Sequence, residues 1–508
     1  MIEFGGDREI AVRRDGGRTG RNAVGFIADN RYCSSRSAVR KWLSEMKRLV
    51  LAVLLASRLG AVDFPERYRE IERSASPAEL FTFLYGLPKG GDLHHHNGLS
   101  IYASVWYATA TSAKTLRRNS FYTMTELGNC PDSSDAQPRF YTLQRSKFES
   151  LSPCQKALYE PLASLSPELK AAWISSLILD KPGEGRDEFF ERIGPRLGDL
   201  PRDPWLLGDA MVENMRLFGA EGVRYIEAQS GVNGFIDAEG NRIPPEEGNR
   251  ILVERLRQPD ALATGVNIRF QSVVLRFAPD AEQRLEAAYA WVAAHRDQWV
   301  GINMAGREDN DKGYALRFLP AYRKMRRTYS DIPLSIHAGE RDSPGHEVRD
   351  TLLLGATRIG HGVNLITDPD TMLLMRNNRY LVEVNLVSNR LLDYVPDTAT
   401  HPFPEYWRFG IPVCLNTDDR GSWDSDMTDE YYTAVTNFHL TWKEIVMLGR
   451  NSLEYSFAEA GLKAKMLAAY DADIAGFEAK FGAGDWRAAL HNVKPEISGY
   501  ARRTWKFE

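Results

Sequence analysis

Beyond residue 90 the chain alternates between two kinds of pattern. Short apolar or β-branched runs recur at Gly91–His95, Val223–Gln229, Val266–Phe277, Val300–Ala305, Ile332–Ala338, Arg358–Val363, Tyr380–Leu386 and Ile411–Thr417. Each is bounded by Gly, Pro or polar residues, as strands are. Between most of them lie amphipathic stretches of helical length: Asp280–Ala294, Leu316–Tyr329, Glu347–Gly355 and Pro369–Asn377. The Asp280-Ala-Glu start of the first suits a helix N-terminus, where negative charge is favoured. Strands alternating with helices imply a parallel sheet with crossover helices. Eight such units predict an α/β fold of the closed (β/α)8 TIM barrel type.

One interval breaks the rhythm. His96 and Val223 are separated by far more chain than the roughly 30 residues one β/α unit of such a barrel needs. The Gly-, Pro- and Ser-containing stretch around Asn119–Pro153 reads as an insertion after the first strand, an inserted subdomain spanning about 110–205. It carries Cys130 and Cys154, which pair in an oxidising compartment or stay as free thiols. Past residue 419 the pattern turns helical over Met427–His439, Thr441–Phe457 and Ala464–Phe481, expected to pack outside the barrel.

The barrel reading covers 63–508. Residues 1–62 read differently: 1–45 are rich in Gly and Arg without apolar periodicity, the pattern of a disordered N-terminus. Residues 46–61 combine a basic start, a short apolar run and small residues, the layout of a signal peptide. With translation starting at Met46 the protein is expected to be secreted or periplasmic; otherwise it is cytoplasmic. The competing reading of 46–61 is a short amphipathic helix docked on the domain, and Arg58 weakens the signal pattern.

Composition narrows the function. A net charge of −4 gives no polyanion-binding surface, so nucleic acid is not expected as a partner. No run of eighteen apolar residues occurs, so no membrane span is expected. The four cysteines form no Cys-x-x-Cys pair, which removes zinc ribbons and thioredoxin-like motifs.

The chemistry sits at strand ends. His94 and His96 close the first run; two residues apart on a strand, they face the same side, while His95 faces the other. His337 and Asp418 end later runs. Three imidazoles and a carboxylate can hold one zinc with an open position for water, the arrangement of a catalytic site in a metal-dependent hydrolase. Glu340, three residues past His337, is placed to deliver a proton to substrate; its competing reading is a surface ion pair with Arg341. His361, beside Gly360 and Gly362, is placed to take a proton from the metal-bound water or to orient it; its competing reading is a core histidine. Asp419 faces differently from Asp418 and is free to accept a hydrogen bond from substrate.

Other motifs fail. His346-Glu347 begins like a zincin helix without its second histidine. His401-Pro402 opens a turn or a helix, and Lys89 is expected to pair with a carboxylate behind the site. There is no P-loop, dinucleotide fingerprint, nucleophile elbow or cytidine-deaminase zinc pattern.

Taken in order, Pro88-Lys89, His94-x-His96, Gly301-Ile-Asn-Met-Ala-Gly306, His337-Ala-Gly-Glu340, Gly360-His361-Gly362, Ser388-Asn389 and Asn416-Thr-Asp418-Asp419 resemble the adenosine deaminase family of the amidohydrolase superfamily, from about Leu87 to Phe457. The insertion, its cysteines and the signal-like segment resemble the adenosine deaminase-related growth factor branch, whose members are typically secreted. The resemblance implies one zinc per chain on His94, His96, His337 and Asp418. It also implies a purine held by the Gly306 N–H and Asp419, with Glu340 and His361 moving protons. The implied reaction takes adenosine or 2′-deoxyadenosine to inosine or 2′-deoxyinosine plus ammonia. A purine nucleoside is then the small-molecule partner, and a homodimer is carried as an assembly expectation. The alternatives are another aminopurine substrate or an extracellular growth-factor-like binding protein with little turnover.

Two positions depart from the family pattern. Asn97-Gly98-Leu99 replaces the residues that often hold the ribose, and Arg420 stands where Pro is frequent. Arg420 is expected to reach toward a substrate anion or to lie in solvent.

Overall fold

The computed structural model describes residues 63–131, 137–308 and 312–508. The expectations for 1–62, including the signal-like 46–61, lie outside the described residues. Eight parallel strands form one sheet in sequence order: β1 (Gly90–His96), β2 (Val223–Ser230), β3 (Asn267–Leu275), β4 (Trp299–Ala305), β5 (Leu334–Ala338), β6 (Arg358–His361), β7 (Leu381–Val384) and β8 (Val413–Leu415). A parallel bridge between His95 and Asp418 joins the last strand end to the first, making the (β/α)8 barrel. All eight predicted runs are strands of this barrel. Four of them, predicted to end at Phe277, Val363, Leu386 and Thr417, end two residues earlier.

Helices cover the outside, as parallel strands buried on both faces require. Pro204–Ala220, Pro245–Leu256, Ala281–Ala294, Leu319–Thr328, Glu347–Leu354, Pro369–Asn378 and Phe403–Phe409 follow the first seven strands in turn. Their ends obey local rules. Asp203 caps the Leu206 N–H at 3.0 Å with Pro204 at the first helical position, where its missing N–H costs nothing. Gly355 closes Glu347–Leu354 in the left-handed conformation that glycine adopts freely. After β8, Met427–Phe438, Trp442–Glu454 and Ala460–Gly482 pack on the outside. Ile445 and Leu448 on the second of these are fully buried.

Between β1 and Pro204 lies a three-stranded antiparallel sheet of Phe121–Met124, Thr142–Gln144 and Tyr159–Pro161. Cys130 and Cys154 beside it are disulfide-bonded, so of the two states left open by the sequence the structure holds the bond.

Two expectations are corrected here. Among the described residues Lys89 meets no carboxylate: its Nζ donates to the carbonyls of Leu84, Tyr85, Leu87 and Glu221 at 2.6–3.2 Å, tying the pole of the barrel opposite His94. Arg420 reaches neither substrate nor solvent. It is 1% exposed, paired with Glu221 at 2.9 Å and bonded to the Tyr102 hydroxyl at 2.6 Å, with its guanidinium over the Phe218 ring.

Candidate active site

The pleat sends His94 and His96 to one side of β1. His95 goes to the other, against Phe218 and the Asn214 amide. His337 near the end of β5 and Asp418 beyond β8 meet the first two. His94 Nε2 lies 3.0 Å from His337 Nε2 and 3.4 Å from Asp418 Oδ1. His96 Nε2 lies 3.2 Å from His337 Nε2 and 3.1 Å from the same Asp418 oxygen.

This donor set fits a zinc ion. Four ligand atoms bound tetrahedrally at 2.0–2.1 Å stand about 3.3 Å apart, close to the separations found. Asp418 Oδ1 is buried with no aligned hydrogen-bond partner among the described residues. Electrostatics agree. Burial opposes charge on His94, yet Asp418 and Glu383 outweigh it and raise His94 to about 10. Burial opposes charge on Asp418 too, but the facing His94 and His96 imidazoles hold its carboxyl well below the usual range. A positive charge is therefore favoured between them. His361 also contributes a ring nitrogen within 4.8 Å of the ligand atoms of His94, His337 and Asp418.

The backbone here is unusual. His361 and Asp418 have φ of 63° and 56°, a left-handed conformation that costs a non-glycine residue energy and concentrates at functional sites. At Gly360, a Cβ would fall 2.6 Å from His94 Cε1, so only glycine lets the imidazole lie against β6.

Glu340 stands just past β5, with its Oε1 3.5 Å from His361 Nδ1. Burial first, then the charges of Asp418 and Glu308, push its carboxyl well above the usual range. It is thus held protonated, as a proton donor must be. The competing reading, an ion pair of Glu340 with Arg341, is not found among the described residues; Arg341 binds Glu347 at 2.6 Å. Burial and the neighbouring Asp418 charge raise the Asp419 carboxyl well above its usual range. Burial brings His361 down to about 3, leaving its imidazole neutral.

These groups open into a cavity of about 160 Å³, whose apolar wall includes Leu99, Phe189, Phe190 and Phe277. Gly306 lines it with φ of 103°, and Asp419, Glu340 and His361 lie on its polar side.

Sequence reasoning passed over Glu383 and Glu308, and it quoted Asn389 in a motif without giving it a role. Glu383 on β7 is fully buried and accepts from His94 Nδ1 at 2.8 Å, Ser335 Oγ at 2.8 Å and Arg358 Nε at 2.6 Å. It fixes His94 with Nε2 facing the cluster, the usual task of a carboxylate behind a ligating histidine. Glu308 accepts from the backbone N–H groups of Gly339 and Glu340 at 2.9 and 3.1 Å, which sets the strand-end turn carrying Glu340. Asn389 reaches His361 Nδ1 with its amide nitrogen at 2.9 Å.

Comparison with known proteins agrees with this geometry. A family model described as adenosine deaminase matches residues 209–472. The adenosine deaminase of Enterococcus faecalis is 29% identical over 238 residues, 47% of this chain and 67% of that protein. Other curated adenosine deaminases match over about half of their own length. Among solved structures, Arabidopsis ADAL complexed with IMP covers 78% of this chain and 99% of its own, with 19% identity and a TM-score of 0.58. An amidohydrolase from Burkholderia ambifaria with bound Zn covers 78% of this chain and 94% of its own, with 19% identity and a TM-score of 0.56. Both structural likenesses are likenesses of fold.

Proposed function

Because this chain belongs to the adenosine deaminase family, we propose that it is a zinc-dependent hydrolytic deaminase of aminopurine nucleosides, with adenosine and 2′-deoxyadenosine as first substrates. One observation carries the reading: Glu340, buried and 3.5 Å from His361, stands at the rim of a four-ligand cluster of metal-binding geometry. A general acid next to such a cluster is what attack of water on an electron-poor ring carbon requires.

His94, His96, His337 and Asp418 would hold the ion. Bound zinc lowers the pKa of water toward about 7 and so supplies a nucleophile at neutral pH. The chain's own residues do the rest. The aminopurine enters with its edge toward Glu340, which protonates the ring nitrogen next to the attacked carbon and makes that carbon electrophilic. Asp419 hydrogen-bonds to the far side of the ring, and the Gly306 N–H is available to a further ring nitrogen. His361 orients the attacking water. A carbon–oxygen bond forms, the carbon–nitrogen bond to the exocyclic amine breaks, and ammonia leaves. Leu99, Phe189, Phe190 and Phe277 keep bulk water out, which strengthens every polar contact inside. No cationic side chain lines the cavity among the described residues, which supports an uncharged nucleoside over a phosphorylated one.

The test is a substrate panel of adenosine, 2′-deoxyadenosine, adenine, AMP and N6-substituted nucleosides, run on zinc-loaded and then chelated protein. Ammonia release from adenosine that disappears on chelation and returns with zinc is expected. No release from any aminopurine by zinc-loaded protein sinks the proposal. The Cys130–Cys154 bond also supports export, since disulfides persist in oxidising compartments. Sequencing the N-terminus of the native protein checks this: a mature start near Val62 is expected, and a retained Met1 contradicts it.

A further inference from the structure

Behind His361 runs a buried polar chain that the reaction as described does not use. It joins three elements: the end of β6 at His361, the helix Leu386–Leu391 at Asn389, and the turn before Phe403–Phe409 at His401. All three side chains are almost fully buried, at 1%, 0% and 3% exposure, so every donor and acceptor among them must be matched.

The chain can be read from its far end. The backbone N–H of Phe403 donates to His401 Nδ1 at 3.1 Å. Burial holds His401 down to about 3, so its ring is neutral, with one acceptor and one donor nitrogen. Nδ1 is the acceptor, so Nε2 carries the proton. That nitrogen lies 3.1 Å from Asn389 Oδ1 and donates to it. With its oxygen engaged, Asn389 turns its amide nitrogen to His361 Nδ1 at 2.9 Å. The amide nitrogen of Asn385 faces the same atom at 3.1 Å. Two amide donors therefore face His361 Nδ1, which must accept, and the ring proton belongs on Nε2.

We propose that His401 and Asn389 are positioning residues that lock His361 in its Nε2–H tautomer, so that it meets the attacking water as a hydrogen-bond donor rather than as a proton acceptor. Of the two roles open to a histidine here, orienting or deprotonating, the chain selects the first. Tautomer selection by the hydrogen bond on the opposite ring nitrogen is a general means of fixing what a histidine can do. The functional half of this inference rests on the deaminase reading; the tautomer itself does not.

Two measurements separate these. In zinc-loaded protein with ¹⁵N-labelled histidine, His361 is assigned by the signal lost in His361→Gln. Its ¹⁵N shifts are expected to report a protonated Nε2 and a bare Nδ1. The reverse pattern overturns the proposal whether or not the protein turns over adenosine. In kinetics, His401→Phe removes the donor to Asn389. It is expected to lower kcat about 10–100-fold, the usual cost of losing a supporting partner, with KM and zinc content unchanged. His401→Gln, whose amide can still donate to Asn389 Oδ1, is expected to restore most of kcat. Asn389→Asp replaces the donor by an acceptor and draws the His361 proton to Nδ1. It is expected to cost more than Asn389→Ala, although Asp is the closer match in shape. A purely structural role predicts the opposite order, and that order, or a His401→Phe variant with unchanged kcat per bound zinc, overturns the proposal.

Discussion

The backbone N–H of Asp418 donates to the carbonyl of His94 at 2.9 Å, and the N–H of His96 donates back to the carbonyl of Asp418 at 3.2 Å. These bonds join the last strand end to the first, so the seam of the barrel runs through the candidate metal site. Three of the four residues that would hold the ion, His94, His96 and Asp418, also close the sheet.

Metal removal should therefore weaken the whole barrel. A ligand that binds only the native state stabilises it by RT ln(1 + [L]/Kd), about 4 kcal/mol at a thousandfold excess over Kd. Chelation is expected to lower the thermal midpoint by several degrees, and added zinc to restore it. Calorimetry on chelated and reloaded protein reads this directly. An identical midpoint in both would mean that no ion bridges β1, β5 and the residue beyond β8.

Glu383→Gln tests the support of His94. The amide keeps the shape, but it takes away the charge that faces His94 Nδ1 and Arg358. Zinc affinity is expected to fall about 10–100-fold, measured by competition with a chromophoric chelator. Unchanged affinity would show that His94 needs no carboxylate behind it.

Glu383 also shows how far the sequence could be read. The strands were legible because apolar runs bounded by Gly and Pro have few other uses, and the ligand positions followed from their strand ends. Glu383 was visible as a lone acid inside the apolar run Tyr380–Leu386, and Arg358 as a lone base opening another. Their opposite charges were the signal that they meet. Glu308 carried no such signal, because it acts on backbone groups 31 and 32 residues away, and no side-chain pattern marks a bond to a main-chain N–H. The fate of Arg420 was hidden for a similar reason: Glu221 lies 199 residues away.

His401 makes an acid-sensitivity prediction with a definite sign. Its folded pKa of about 3 lies below the ordinary 6.5, so the native state resists protonation while the unfolded chain accepts it. The stability this histidine contributes is complete above pH 6.5 and is lost as pH falls from 6.5 toward 3. Between pH 7 and pH 5 the loss is about 2 kcal/mol. His401→Gln has no such group. Urea unfolding at the two pH values is expected to show the native protein losing about 2 kcal/mol more than the variant. Equal losses would mean that His401 is not buried neutral.

Arg420 is expected to matter for stability and not for substrate choice. Its guanidinium is enclosed by Glu221, the Tyr102 hydroxyl and the Phe218 ring, and Glu221 accepts as well from the Thr428 N–H at 3.0 Å. Arg420→Ala leaves the Glu221 carboxylate buried without its cation, a change that costs about 3–5 kcal/mol. Arg420→Ala combined with Glu221→Ala should recover part of that loss, because the uncompensated charge is gone as well. In all these variants that fold, the ratio of kcat/KM for adenosine to kcat/KM for AMP should stay that of the native protein, since Arg420 does not line the cavity. A selective fall in turnover of the phosphorylated substrate would put Arg420 back at the site and contradict its place against Glu221.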